Sequence, residues 1–97
     1  MKKDIINELA GALVSIKKTD LALAFLENIL TPDELDEIAT RFQVAKLLNQ
    51  GVPQREVAET LGISIGTVSR GSRELKYGAD GFKQVLKNWQ WQAIPSR

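Results

Sequence analysis

Two chemically versatile residue types are missing from this sequence. None of its 97 residues is a cysteine or a histidine. Disulfide bonds, thiolate chemistry, imidazole acid–base catalysis and the usual zinc ligands are therefore excluded. No nucleophile–base pair is visible, so an enzyme is the least expected class, and we predict no catalytic residue and no metal. The lack of cysteine also suits a reducing cytosol.

Long hydrophobic runs are missing as well. The longest uninterrupted apolar run is Leu21–Leu26, far short of the roughly 20 residues that a membrane span requires. Near the start, Ile5 and Ile6 are followed at once by Asn7 and Glu8, so we expect no signal-peptide core. These features predict a soluble, cytoplasmic protein with no membrane partner.

A strong excess of charge of one sign is also absent, since the formal net charge is +1. The distribution is less even, however. Residues 1–50 carry six Lys/Arg against eight Asp/Glu, whereas residues 51–97 carry seven against four. The basic excess lies where phosphates would be met if the second half binds DNA, although chance asymmetry in a small chain is the alternative.

Proline is scarce, and the periodicity of the apolar residues is helical almost throughout. We predict an all-α fold of about six helices, at about 3–17, 20–29, 32–50, 54–61, 65–76 and 79–90. The first carries an apolar stripe of Ile5, Leu9, Leu13 and Ile16. The second, capped by Thr19 or Asp20, is apolar nearly all round, so it should lie deep in the fold or in a subunit interface.

The third helix has the clearest start and stop signals. Thr31 is a good N-cap, Pro32 suits the first helical position, and Glu34 can close a capping box. Gly51 should end the helix, because glycine readily adopts the left-handed conformation. Its predicted apolar face is formed by Leu35, Ile38, Phe42, Ala45 and Leu48.

The chain is predicted to form a single domain over 1–97. Its core and dimerisation region would be about 3–50 and 79–90, with a helix-turn-helix at about 54–76. A domain of this size buries only about two thirds of the surface that its unfolded chain exposes. Association with a second copy would therefore help to complete the core.

The most informative segment is QREVAETLGISIGTVSRGSR, Gln54–Arg73. A helix-turn-helix needs a small residue where its two short helices cross, and Ala58 is placed there. Gly62 allows the positive φ of the turn, Ser64 can cap the second helix, and Val68 provides an apolar anchor. Few large apolar residues support these two short helices, which predicts that the helix pair is mobile. A helical hairpin that only packs is the alternative.

In such motifs the N-terminal part of the second helix enters the major groove, and the start of the first helix meets phosphate. The hydroxyls of Thr67 and Ser69 suit base edges, and Gly66 permits close approach. For the two arginines of this set, a solvated surface charge is the alternative. The residues predicted to face DNA are Gln54, Arg55, Ile65, Gly66, Thr67, Ser69 and Arg73.

Three segments together resemble the bacterial tryptophan repressor family: LTPDELDEIATR (Leu30–Arg41), QREVAETLG (Gln54–Gly62) and VSRGSRELK (Val68–Lys76). The resemblance covers about residues 20–88. It implies an intertwined homodimer of six-helix subunits that binds a near-palindromic operator in double-stranded DNA. It also implies L-tryptophan as the corepressor, bound beside each helix-turn-helix, and repression of tryptophan biosynthesis genes.

The resemblance further implies a pocket for this amino-acid ligand. Arg41 aligns with the arginine that holds the ligand carboxylate, and Arg70 with the arginine that stacks on the indole. Leu30 and Thr31 match pocket residues near the helix cap. Gly71 matches the glycine that lets the indole lie against the reading helix. Packing against a neighbouring helix is the alternative for Gly71, and a salt bridge to the acidic stretch 33–37 is the alternative for the arginines.

Two departures from the family pattern keep other ligands open. Glu74 stands where the enteric repressors have a serine near the ligand ammonium, and it would either pair with that ammonium or bond Arg70 or Arg41. The stretch LKYGADGF (75–82) is more similar to tryptophan-repressor-like proteins of Gram-positive bacteria. The alternatives are a related DNA-binding regulator with another ligand or none and, less expected, an interaction module that does not bind DNA. Trp89 and Trp91 are expected to serve packing or a dimer contact.

Overall fold

The computed structural model describes residues 2–88, and these form six α-helices with no strand among them. The all-α prediction is therefore confirmed. Within the same residues, no helix is both long and apolar enough to cross a membrane. The helices are α1 (Lys2–Val14), α2 (Thr19–Ile29), α3 (Pro32–Asn49), α4 (Gln54–Leu61), α5 (Ile65–Tyr77) and α6 (Gly81–Asn88).

The described chain divides into two compact units. The first ends at Glu37 and the second begins at Ile38, so the boundary falls within α3. The assignment of one domain over 1–97 stays a prediction.

In the first unit, α1 is shorter than predicted. The helix ends at Val14 instead of residue 17, so Ile16 lies outside it. The cause is Ser15, whose hydroxyl donates to the carbonyl oxygen of Ala12 at 2.6 Å. Its amide is also shared between the carbonyls of Gly11 and Ala12. This local bonding competes with continuation of the helix.

The predicted cap of α2 is also wrong. The helix begins at Thr19, and Lys18 is the cap residue, without a side-chain hydrogen bond. The carbonyl of Lys18 already accepts the first helical bond, from the amide of Ala22 at 3.0 Å. Neither α1 nor α2 contains a buried residue, so α2 does not lie deep in the single chain. Its place in a subunit interface stays a prediction.

The start of α3 confirms the predicted capping box. The Thr31 amide donates to Glu34 Oε1 at 2.8 Å, and the Glu34 amide donates to Thr31 Oγ1 at 3.2 Å. Pro32 is the first helical residue.

The end of α3 confirms the role of Gly51. Its φ is +89°, its amide bonds the carbonyl of Leu48, and the amide of Val52 bonds that of Leu47. These are the two hydrogen bonds of a Schellman C-cap.

The predicted apolar face of α3 is only partly correct. Ala45 is buried, but Ile38 is exposed. Val44, which lies off the predicted stripe, is buried in a cluster with Val57 of α4 and Val68 of α5. Packing against these two helices, and not the periodicity of α3 alone, decides which side of its second half is buried. Partly buried side chains surround the cluster: Leu47, Leu48, Val52, Ala58, Leu61 and Ile63.

The last helix begins at Gly81, two residues later than predicted. Asp80 precedes it, and its carboxylate accepts from Gln84 Nε2 at 2.9 Å while its carbonyl accepts from the Gln84 amide at 3.0 Å. These two bonds fix the start of α6. The predicted end at residue 90, and with it Trp89 and Trp91, lies outside the described residues.

Candidate nucleic-acid interface

The helices α4 and α5 are joined by a tight turn at Gly62. This glycine has φ +67° and ψ +37°, the left-handed conformation that closes α4. At the next residue the chain turns back towards α4, because the amide of Ile63 donates a hydrogen bond to the carbonyl of Ala58 at 3.1 Å. Ser64 then caps α5 by accepting a hydrogen bond from the Thr67 amide at 3.1 Å. The predicted turn and cap are therefore confirmed.

The inner sides of the two helices form a small apolar core. Val57 and Val68 are both 0% exposed, and Ala58 packs beside them. The outer side of α5 is open, with Gly66 and Arg70 both exposed. Residues 54–77 thus have the layout of a helix-turn-helix, with the side away from the core available to a partner.

The Thr67 hydroxyl is held by its own helix. Its oxygen lies 2.9 Å from Ser64 Oγ and accepts from Arg70 Nη2 at 3.3 Å. Ser64, Thr67 and Arg70 therefore form a row along the surface of α5. Thr67, predicted to face DNA, and Arg70, predicted to hold a ligand, are in direct contact.

The Ser69 hydroxyl makes a longer-range bond. It donates to Oε1 of Gln54, the first residue of α4, at 3.0 Å, and both side chains are partly buried. Both residues were predicted as DNA contacts, but the bond between them was not foreseen. It joins positions 15 residues apart, and only the crossing of α4 and α5 brings them together.

Gly71 is a point of close approach between α5 and α3. A methyl group at this position would lie only 2.6 Å from Val44 Cγ1. The structure thus shows the packing contact that was the alternative for Gly71. Its role beside a ligand stays a prediction.

Residues further along α5 line a shallow, open depression, formed by Arg70, Arg73, Glu74, Tyr77 and Gly78. The Glu74 carboxylate lies against Gly78, where a side chain would overlap it. Glu74 is thus directed towards the C-terminal end of α5. Tyr77 is 80% exposed, and sequence reasoning gave it no role, since an isolated tyrosine carries no spacing signal.

The other residues of the predicted ligand pocket are distributed over both units. Leu30 and Thr31 belong to the first unit, and the Thr31 hydroxyl is engaged in the cap of α3. Arg41 is exposed on α3 in the second unit. The pocket as a whole stays a prediction.

Comparison with known proteins places the chain in a family. The family model described as "Trp repressor protein" matches residues 5–90. The Trp operon repressor homolog of Actinobacillus succinogenes is 51% identical over 64 residues, which cover 65% of this chain and 63% of that protein. The chain thus spans slightly less than two thirds of that relative's length.

Two further similarities cover more of the chain. The uncharacterized protein YerC of Bacillus subtilis is 28% identical over 81 residues, which cover 84% of this chain and 78% of that protein. The crystal structure of a TrpR like protein from Eubacterium eligens matches with a TM-score of 0.80 and 36% identity, covering 87% of both chains. This chain belongs to the Trp repressor protein family.

Proposed function

We propose that the chain is a sequence-specific DNA-binding transcriptional repressor and that α5 is its reading helix. The observation that carries the proposal is the α4–α5 pair. Burial of Val57 and Val68 fixes the inner side of the pair, while the side with Gly66 and Arg70 stays exposed. A helix pair that presents one exposed helix face suits insertion into the major groove. Membership of the Trp repressor family supports this role.

The charges of the same segment also support DNA binding. Arg55 on α4 and Arg73 on α5 are both exposed. Exposed guanidinium groups bind phosphate well, because their planar arrangement of donors matches the phosphate oxygens. We therefore expect contacts with the DNA backbone around the reading helix.

The chain is proposed to act as a homodimer. Large apolar side chains of α1 and α2 are exposed in the single chain, among them Ile5 at 61% and Leu21 at 55%. Apolar surface of this kind marks an interface in a soluble protein. A second copy of the chain would cover it and would give the two-fold symmetry that reads a near-palindromic operator.

We further propose that L-tryptophan is the corepressor and that tryptophan biosynthesis genes are the target. The names of relatives such as the Actinobacillus succinogenes protein support this choice. The contact between Arg70 and Thr67 supports a route for gating. A ligand that binds the Arg70 guanidinium would compete with or strengthen this hydrogen bond, and would thereby act on a residue of the DNA-facing side.

A second candidate is a DNA-binding regulator of the same family that responds to another ligand or to none. Two observations favour it. The Glu74 carboxylate lies against Gly78 at the end of α5, and the similarity to YerC covers more of the chain than that to the Actinobacillus succinogenes protein. L-tryptophan binding distinguishes the two candidates.

The decisive experiment selects DNA duplexes from a random library with the full chain and then measures gel shifts with and without L-tryptophan. Retention on DNA that falls steeply with salt is expected, because phosphate contacts release counterions. Retention that does not change with salt concentration would refute DNA binding and favour a helical interaction module. Equal affinity with and without L-tryptophan would refute tryptophan gating and favour the second candidate.

Calorimetry provides the control for the ligand site. L-tryptophan should bind the wild type and fail to bind Arg70→Ala, whereas Lys83→Ala, an exposed position on α6, should bind as the wild type does. Equal binding to Arg70→Ala would place the ligand elsewhere.

A further inference from the structure

The hydrogen bond between Ser69 and Gln54 determines which atoms of this pair can meet DNA. A serine within a helix commonly donates its hydroxyl to a backbone carbonyl of the preceding turn. Ser69 donates instead to Oε1 of Gln54, across the α4–α5 crossing. Its hydroxyl hydrogen is thus already engaged, so the hydroxyl could meet a base edge only as an acceptor.

The Gln54 amide has one carbonyl acceptor and an NH₂ group with two donors. Ser69 occupies the acceptor. Among residues 2–88 the amide nitrogen has no acceptor, so within this part of the chain both of its N–H groups are available. Because DNA phosphate oxygens are acceptors, an amide presenting its nitrogen outward attracts them, and one presenting its oxygen outward repels them.

Without Ser69 this orientation would not be fixed. The terminal torsion of glutamine has a broad, roughly two-fold distribution, so an untethered amide samples both orientations. The Ser69 hydroxyl can bond either end of the amide, and a phosphate facing it selects the arrangement of the structure, with Oε1 on Ser69 and the nitrogen outward. Partial burial of both side chains strengthens this preference, since water competes less well for the bond.

We propose that Ser69 is a positioning residue, which holds Gln54 so that its Nε2 donates a hydrogen bond to a DNA phosphate. This inference rests on the proposed DNA-binding function. It assigns the phosphate contact to Gln54 and removes Ser69 from direct readout of the bases. Loss of the Ser69 hydroxyl should therefore weaken binding to all sequences alike.

The test measures the affinity of the full-length variants for two duplexes. One is the duplex selected by the wild type from a random library, and the other has a mixed sequence. Ser69→Ala should weaken binding to both by about twofold per subunit, because an untethered amide presents its nitrogen to the phosphate only about half of the time. Ser69→Thr keeps a hydroxyl and should restore most of the affinity.

Variants at Gln54 separate positioning from a merely structural role. In the Gln54→Ala background, Ser69→Ala should have little further effect, because the two residues act as one unit. Gln54→Glu can still accept from Ser69 but offers a negative carboxylate to phosphate, so it should bind more weakly than Gln54→Ala. Melting temperatures by circular dichroism identify any variant that fails to fold.

The salt dependence gives an independent readout. An uncharged amide releases no counterion, so Ser69→Ala should leave the slope of log affinity against log salt unchanged. Arg55→Ala should instead lower its magnitude by about 1 per subunit if Arg55 contacts a phosphate.

Several results would overturn the inference. One is an affinity of Ser69→Ala or of Gln54→Glu equal to that of the wild type. Another is additivity of the effects of Ser69→Ala and Gln54→Ala. A third is a change of base preference in Ser69→Ala while its affinity for the mixed duplex stays unchanged. The last result would return Ser69 to base readout. If the wild type selects no duplex from the library, the DNA-binding proposal itself is refuted, and this outcome is distinguishable from failure of the positioning role.

Discussion

Substitution of Gly71 by alanine should destabilise the fold, because the added methyl would overlap Val44. It would lie 2.6 Å from Val44 Cγ1 and 3.6 Å from Val44 Cβ. Val44 is only 2% exposed, and a β-branched side chain in a helix has one strongly preferred rotamer. The contact can be relieved only if α3 and α5 move apart or Val44 leaves that rotamer.

Two opposing effects set the magnitude. Overpacking of a close-packed core typically costs about 1–3 kcal/mol. Alanine gains up to about 1 kcal/mol over glycine in a helix interior. A contact this short against a buried side chain lies in the upper part of the overpacking range, about 2–3 kcal/mol, so we expect Gly71→Ala to lower the free energy of unfolding by about 1–2 kcal/mol. Urea denaturation measures it, at one fixed protein concentration, because the stability of a dimer depends on concentration.

A double-mutant cycle tests the contact itself. Val44→Ala alone should cost about 2–3 kcal/mol, from lost burial and the cavity that remains. Val44→Ala with Gly71→Ala should cost no more than Val44→Ala, because the new methyl then enters free space. A stability of Gly71→Ala at or above wild type, or additive effects of the two substitutions, would refute the packing argument.

The remaining predictions concern local structure and are measured by the same urea denaturation. Gly62→Ala should cost about 1–2 kcal/mol because φ is positive there, whereas Gly66→Ala, an exposed helical position on α5 with room for a methyl group, should stabilise by up to about 1 kcal/mol; equal effects would contradict the backbone argument. Thr31→Ala should cost about 1 kcal/mol through loss of the α3 cap, and no change would show that the cap is dispensable. Val57→Ala should cost about 2–3 kcal/mol from loss of a fully buried side chain, and Glu59→Ala, at an exposed site of the same helix, less than about 0.5 kcal/mol; similar losses would contradict the burial assignment.

The features that sequence reasoning predicted correctly depend on residues within a few positions of one another. The Thr31 and Ser64 caps each accept from an amide three residues ahead. The positive φ of Gly51 and Gly62 follows from the ease with which glycine adopts it. Helix boundaries near such signals were correct for this reason. Without one, Ser15 ended α1 early, because its hydroxyl bonds back to Ala12.

The features that the sequence did not reveal depend on how the helices cross. Burial of Val44 results from contact with α4 and α5, whereas the stripe predicted for α3 runs through Ala45 and Leu48. The bond between Gln54 and Ser69 likewise requires both helices in place. Residue types alone predicted that these two positions matter for DNA contact, but not that one of them positions the other.

The small core under the α4–α5 pair has a consequence for gating. Its fully buried large side chains, among the described residues, are Val44, Val57 and Val68. Full burial of each contributes only about 1.5–3 kcal/mol, whereas ordering each backbone residue costs about 1–2 kcal/mol. The pair should therefore open locally at a lower free energy than global unfolding.

Amide hydrogen exchange tests the prediction that the α4–α5 pair is mobile. In the free protein, amides of α4 and α5 should exchange faster than those near Val44 in α3, and a gating ligand should slow them, since it stabilises the state that it binds. Uniformly slow exchange across residues 54–76 without ligand would refute it. In that case the ligand would have to move a helix pair that is already ordered. Comparing amide exchange in Ser69→Ala with that in the wild type would then show how much the bond between the two helices contributes to their order.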